Sequence, residues 1–244
     1  THRKLRLPEI HPPSDEIIHR FRRFEASTWQ QKISVTSLIK REKWNIDDNE
    51  DETAKTKRIP ISANIYKRMG KKSSGLSAVE KGQAAHKYLS QVDLDSINSS
   101  DDLYSVLSKE LKRLKSIGIL QPIESESIDI NAIEGFFTSK IGARLLKSQK
   151  VYRELPFSLL LDSGALLQGV IDCCFIEGDN IILIDYKTDY DTENIYENYH
   201  RQMHWYAVAL NTLTPKTVSE AYLYAIRTGE FISVDVKDIE NTTV

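Results

Sequence analysis

The sequence predicts an α+β or α/β domain in which a central mixed β-sheet of about five strands is flanked by helices. Three observations carry that reading. Helical periodicity dominates up to about residue 147, three strand-like runs follow (151–161, 166–176 and 180–186), and a helix over about 193–212 then leads into two more strands, 220–226 and 230–236. The turn sequences Asp162-Ser163-Gly164-Ala165 and Glu177-Gly178-Asp179 separate the three runs and suit two consecutive hairpins.

Taken in order, residues 1–13 are basic and proline-terminated and read as a linker or extended arm. Ser14 is an N-cap for a helix over 14–31 with Ile17, Ile18, Phe21 and Phe24 on its apolar stripe, and a short helix runs from Ser34 or Thr36 through "SVTSLIKREKW". The stretches 45–58 and 69–75 are charged, poor in hydrophobic residues and expected to be loops. From Gly75 a helix offers Leu76, Val79, Ala84 and Tyr88 to a core, with Gly82 inside it at a cost of about 1 kcal/mol relative to alanine. Ser100 to Ile117 and Asn131 to Lys147 read as two more amphipathic helices, and Arg227-Thr228-Gly229 joins the last two strands. The domain division this implies is an N-terminal linker and helical extension over 1–74, then a principal core over 75–244.

Composition narrows the function less than the motifs do. Hydrophobic residues are 40% of the chain and charged ones 28%, as in an ordinary globular protein, so the chain is expected to fold. Lys and Arg total 33 against 35 Asp and Glu, so no global basic field points to nucleic acid and any such binding must use local patches. The two cysteines, Cys173 and Cys174, are adjacent in a strand, where side chains alternate between faces; a mutual disulfide is excluded, and a reduced, cytoplasmic setting is expected. They are also too few for an iron–sulfur cluster or a four-cysteine zinc site. No apolar run approaches the roughly 20 residues of a membrane span, and no signal-peptide pattern opens the chain. The start at Thr1 without methionine is read as a piece of a longer polypeptide.

The chemistry concentrates in "LIDYKTD", residues 183–189. In an extended segment Asp185 and Lys187 share a face while Tyr186 points the other way. Counting back equally from the Glu177-Gly178-Asp179 turn places Asp172, in "QGVID", near Asp185 on the neighbouring strand. Two adjacent buried carboxylates repel unless a cation lies between them, and an oxygen-lined site suits Mg²⁺ or Mn²⁺. A lysine beside such an ion can orient a nucleophilic water or stabilise charge on a phosphoryl group, which is phosphodiester chemistry. For each residue alone the plainer reading wins: an exposed Asp185–Lys187 ion pair and a turn-capping Asp172.

Asp172, Asp185 and Lys187, spaced D-x₁₂-D-x-K across two strands, resemble the core of the PD-(D/E)xK nucleases. More narrowly, "GVID", "IDYKTD" and "QMHWYAVAL", with "KGQAAHKYL", "SVTSL", "RELPF" and "EAYLYAI" in the same order, resemble the RecB-family nuclease domains of bacterial helicase–nucleases, in particular the AddA type. The resemblance runs from about residue 34 to the end. It implies a restriction-endonuclease-like core and a metal-dependent deoxyribonuclease. It further implies that His86, Asp172, Asp185 and the backbone carbonyl of Tyr186 bind Mg²⁺, with Mn²⁺ as a substitute and no iron–sulfur cluster. Lys187 would act on the attacking water. Gln202 and Tyr206, matching a Q-x-x-x-Y motif on one helix face, would help place DNA. The implied partners are single-stranded DNA, a helicase motor in the parent chain and a second, AddB-like subunit. The implied setting is the recombination and repair of double-strand breaks.

Each assignment has a plainer rival. A lone histidine such as His86 is more often a core or surface residue than a ligand. Gln202 and Tyr206 also suit helix packing, Trp205 suits the core, and His200 and His204 lack the acidic partner of a zinc hydrolase. Glu154 in "RELPF" reads either as a residue behind the metal ligands or as a salt-bridge partner of Arg153. Thr188 supports Asp185 at most. The rival functions are a catalytically silent nuclease-like DNA-binding or docking module and a stand-alone exonuclease or resolvase of the same fold. No G-x-x-x-x-G-K-[ST] occurs, so no such ATPase motor lies in this chain.

Overall fold

The computed structural model describes residues 31–40, 75–189 and 194–236. The helix expected over 14–31 falls outside them except at residue 31, and the loops expected over 45–58 and 69–74 lie outside them altogether. Among the described residues the sheet has six strands: β1 (Gln31–Ser34), β2 (Val151–Leu160), β3 (Ala165–Glu177), β4 (Asn180–Lys187), β5 (Thr217–Ala225) and β6 (Glu230–Val234). The strand beyond the expected five is β1, in a stretch whose sequence suggested only a helix; residues 35–40 are indeed helical, but they follow a four-residue strand parallel to β3.

The two expected hairpins are present, β2 and β4 each pairing antiparallel with β3. The helix α7 (Ile195–Leu213) then crosses over, so β5 runs parallel to β4 before β6 returns antiparallel. A sheet so covered is buried on both faces, which is why β4 reads as a continuous apolar run rather than an alternation. Ile181 and Leu183 pack on one side with α7, through Met203, Val208 and Leu210. Ile182 and Ile184 pack on the other with α1 (Ala78–Gln91), α3 (Leu103–Ser116), α5 (Ile130–Thr138) and α6 (Lys140–Lys147). Cys174 belongs to the first layer and Cys173 to the second, and both thiols are free and buried.

Two helical expectations need correction. The single helix over Asn131 to Lys147 is broken at Ser139, whose extended ψ of 163° ends α5 and whose hydroxyl then accepts from Gly142 N–H as the N-cap of α6. The apolar periodicity continues across the break because both short helices face the same core. Val79, expected in the core, is 70% exposed, because on α1 it lies on the side that lines an open cleft. Ala84 and Tyr88 are buried as expected. Ser77 and Glu80 form a reciprocal capping box at the start of α1. Two five-residue helices, α2 (Leu94–Asn98) and α4 (Pro122–Glu126), are too short to show a periodicity in the sequence. No described helix is long and apolar enough to cross a membrane.

Candidate active site

The β3–β4 ladder runs up to the pair Cys173 and Ile184. At the next position Asp172 and Asp185 oppose each other, and the side chain of Asp172 takes over from the ladder: its Oδ2 accepts the Tyr186 N–H at 2.9 Å. On its other edge β4 stays paired to β5 as far as Lys187 and Ala225, so the strand end that carries the charges is held rather than frayed. The Tyr186 ring is buried among Phe136 and Tyr224, which leaves only its backbone to the cleft.

His86 comes from α1. Its Nδ1 stands 3.3 Å from Asp172 Oδ2, and its ring meets Tyr186 edge-on. Burial alone lowers the imidazole pKa, but the hydrogen bond and charge of Asp172 outweigh it and leave His86 above its ordinary value. For Asp172 burial works upward, and the hydrogen bond and charge of His86 with the Tyr186 N–H bring it below the usual carboxylate range.

Asp185 is 1% exposed, and burial pushes its carboxyl up to about 6; Lys187 opposes that shift and the charge of Asp172 adds to it. Its Oδ2 lies 2.5 Å from Lys187 Nζ yet has no hydrogen-bond partner of good geometry. Lys187 is turned toward α7, where Nζ donates to Gln202 Oε1 at 3.2 Å and sits 3.8 Å from the centre of the Tyr199 ring. Gln202 Nε2 in turn donates to the Tyr206 hydroxyl at 2.7 Å. Burial and the charge of Asp185 raise the Tyr206 phenol well above its ordinary value, so it stays protonated.

All seven residues singled out in the sequence therefore converge on one place. One more joins them. Glu154 on β2 opposes Asp172 in the β2–β3 register but is not paired there, because it adopts a left-handed backbone with φ of 50°. One donor atom each from His86, Glu154 and Asp172 fall within 4.8 Å of one another. Burial and the Asp172 charge raise the Glu154 carboxyl, as expected where acidic groups crowd. The salt bridge to Arg153 that the sequence suggested for Glu154 is not what forms: the guanidinium donates instead to the Leu89 and Val92 carbonyls of α1. Counting across the first hairpin, as across the second, sets Glu154 opposite Asp172, and that is the signal that could have found it.

The cleft above these groups has a volume of about 790 Å³ and is walled by Val79, Gln83 and Lys87 of α1 and by Thr188, Asp189 and Tyr199. Its floor fits a divalent cation: one imidazole and several carboxylates converge, and the buried Asp185 oxygen lacks a well-formed hydrogen bond. Trp205 is buried, and His200 and His204 make ring contacts within α7.

Comparison with known proteins agrees with this geometry. The family model described as the PD-(D/E)XK nuclease superfamily matches residues 63–241. The chain is 40% identical over 223 residues to an ATP-dependent helicase/nuclease subunit of the AddA type from Ruminiclostridium cellulolyticum, covering 83% of this chain. It is 34% identical over 219 residues to the protein of the same name from a Thermoanaerobacter species, and 33% identical over 217 residues to that of Clostridium kluyveri. In each case the match spans 17% of the relative's own length. A mixed sheet carrying two aspartates and a lysine at the end of its central hairpin, matched over most of its length by that family, places the chain in the PD-(D/E)XK nuclease superfamily.

Proposed function

We propose that this chain is a metal-dependent nuclease domain that hydrolyses phosphodiester bonds of DNA. The observation that carries the reading is the buried Asp185 carboxylate, set beside Asp172 and Lys187 with an oxygen that lacks a hydrogen bond of good geometry. Such an arrangement costs stability unless it serves a cation or a substrate. His86, Asp172, Asp185 and the Tyr186 carbonyl would hold Mg²⁺, with Mn²⁺ as a substitute and Glu154 within reach of the same centre. When bound, the ion supplies Lewis acidity to the phosphate and to the water that attacks it. The remaining work belongs to the protein. Lys187, steadied by Gln202 and the Tyr199 ring, holds the attacking water and offsets charge on the phosphoryl oxygens. Tyr206 fixes the Gln202 amide, and the two help place the DNA strand.

The names of the relatives support a wider reading. This domain would serve as the nuclease part of an ATP-dependent helicase–nuclease, fed single-stranded DNA by the motor of its parent chain. It would act with an AddB-like partner in double-strand break repair and recombination in the cytoplasm. The test is cleavage of end-labelled single-stranded DNA with Mg²⁺, beside EDTA and Asp185→Ala controls. Cleavage lost in both controls supports the assignment; full cleavage by Asp185→Ala sinks it.

A further inference from the structure

We propose that Arg153 is a positioning residue for the cleft, holding α1 at the axial position where His86 meets Asp172. The proposal rests on the metal-nuclease reading and adds to it a residue whose guanidinium grips backbone rather than any donor atom. A helix leaves its last carbonyls without partners of their own. In α1 the Val92 N–H closes onto Tyr88 O, the last turn has no basic residue, and the helix ends at a valine rather than a glycine. The missing donors come from outside. Arg153 Nη1 reaches Leu89 O at 3.1 Å and Val92 O at 2.6 Å, and Arg113 Nη2 reaches Gln91 O at 3.3 Å. A cation at this end also meets the negative pole of the helix dipole.

The buried face of α1, Ala84, Ala85, Tyr88 and Leu89, decides which side of the helix faces the sheet. Apolar contact has no direction, however, and tolerates sliding along the axis. A slip of one residue moves the imidazole by about 1.5 Å and takes Nδ1 out of reach of Asp172. Directed hydrogen bonds to the helix end resist that slip. Arg153 is well placed to supply them, because it pairs with Cys173 and precedes Glu154. The same few residues of β2 and β3 thus present the carboxylates and grip the helix that brings the imidazole.

The experiment is Mn²⁺ titration by calorimetry of this chain as wild type, Arg153→Met, His86→Ala and the double variant, with thermal unfolding of each. Arg153→Met is expected to weaken Mn²⁺ binding about tenfold. In the His86→Ala background it is expected to cost nothing further, since a residue acting through His86 has nothing left to position. An equal loss in both backgrounds, or unchanged affinity in folded Arg153→Met, overturns the proposal. Should Arg153→Met fail to fold, Arg153→Lys keeps the charge but loses the two-pronged reach. It is expected to show the same dependence on His86, and its absence overturns the proposal equally. A wild-type chain that binds no Mn²⁺ sinks the metal reading itself and this inference with it.

Discussion

A Cβ added to Gly82 would stand 2.5 Å from Thr188 Oγ1, so the bare face of α1 and the residue after Lys187 claim the same space. Gly82 lowers the intrinsic helix propensity of α1, yet its lack of a side chain lets the helix lie against the strand end one turn before His86. Gly82→Ala is therefore expected to lower the melting temperature, with an overpacking cost of about 1–3 kcal/mol exceeding the roughly 1 kcal/mol of helix propensity it recovers. In a Thr188→Ala background the nearest remaining atom is Thr188 Cβ at 3.6 Å, an ordinary contact, and the sign should reverse. Melting curves of the four proteins decide it; a rise in both backgrounds would mean that the close approach has no energetic consequence.

Asp185 should cost the metal-free protein stability at neutral pH. Burial lifts its folded pKa from 3.8 to about 6, so the folded state favours the protonated acid. The stability from this group is complete below pH 3.8 and is lost as pH rises through about 6. Asp185→Asn imitates the neutral acid. With EDTA present it is expected to melt above wild type at pH 7.5, by a margin on the order of 3 kcal/mol, and to converge with it near pH 4. Added Mn²⁺ should raise the wild-type melting temperature and leave Asp185→Asn unmoved. An Asn variant less stable than wild type at pH 7.5 in EDTA would show that the Lys187 ion pair outweighs desolvation.

How much of this was legible depended on how local each contact is. Asp172 and Asp185 meet across a short turn, so equal counting from Glu177-Gly178-Asp179 sufficed to pair them. Gln202 and Tyr206 sit one helical turn apart and are readable for the same reason. His86 is different: nothing near it in sequence says that α1 will dock against β3, and only its place in a familiar motif singled it out. The left-handed backbone of Glu154 and the break at Ser139 were invisible because neither disturbs the apolar pattern around it. Strand β1 has four residues, too few for an alternation to stand out beside the helical stretch that follows.

Arg144 ties three elements together at the surface. From α6 it donates to both Glu177 oxygens, at 3.0 and 2.7 Å, and to both Glu220 oxygens, each at 2.8 Å. The Arg144 hydrogen bonds hold the Glu220 carboxyl at about 2, below its ordinary 4.5. A depressed acid stabilises the fold above its unfolded pKa, so this contribution is present above pH 4.5 and disappears as pH falls through about 2. The groups are about one-third exposed, so solvent screening keeps the gain near 1 kcal/mol despite the paired geometry. Arg144→Met should melt below wild type at pH 7 and level with it at pH 2. A gap that persists at pH 2 would place the effect in side-chain packing instead.

Gln202 touches Lys187 and Tyr206 but none of the groups that converge around Asp172, which makes it a probe for dividing the site into two functions. Lys187 Nζ has two polar neighbours there, the Asp185 carboxylate and the Gln202 carbonyl, and the Tyr206 hydroxyl keeps that carbonyl turned toward it by accepting from Gln202 Nε2. Removing the amide frees the ammonium to collapse onto Asp185, away from where a water and a phosphate would stand. Gln202→Ala is therefore expected to slow DNA cleavage about tenfold, within the range usual for losing one orienting group, while Mn²⁺ affinity stays at the wild-type value. Lys187→Ala should abolish cleavage, and adding Gln202→Ala to it should change nothing more, because the two act as a unit. If Gln202→Ala instead weakens Mn²⁺ binding, the lysine and the metal donors are one electrostatic unit. The collapse of Lys187 onto Asp185 would then compete directly with the ion.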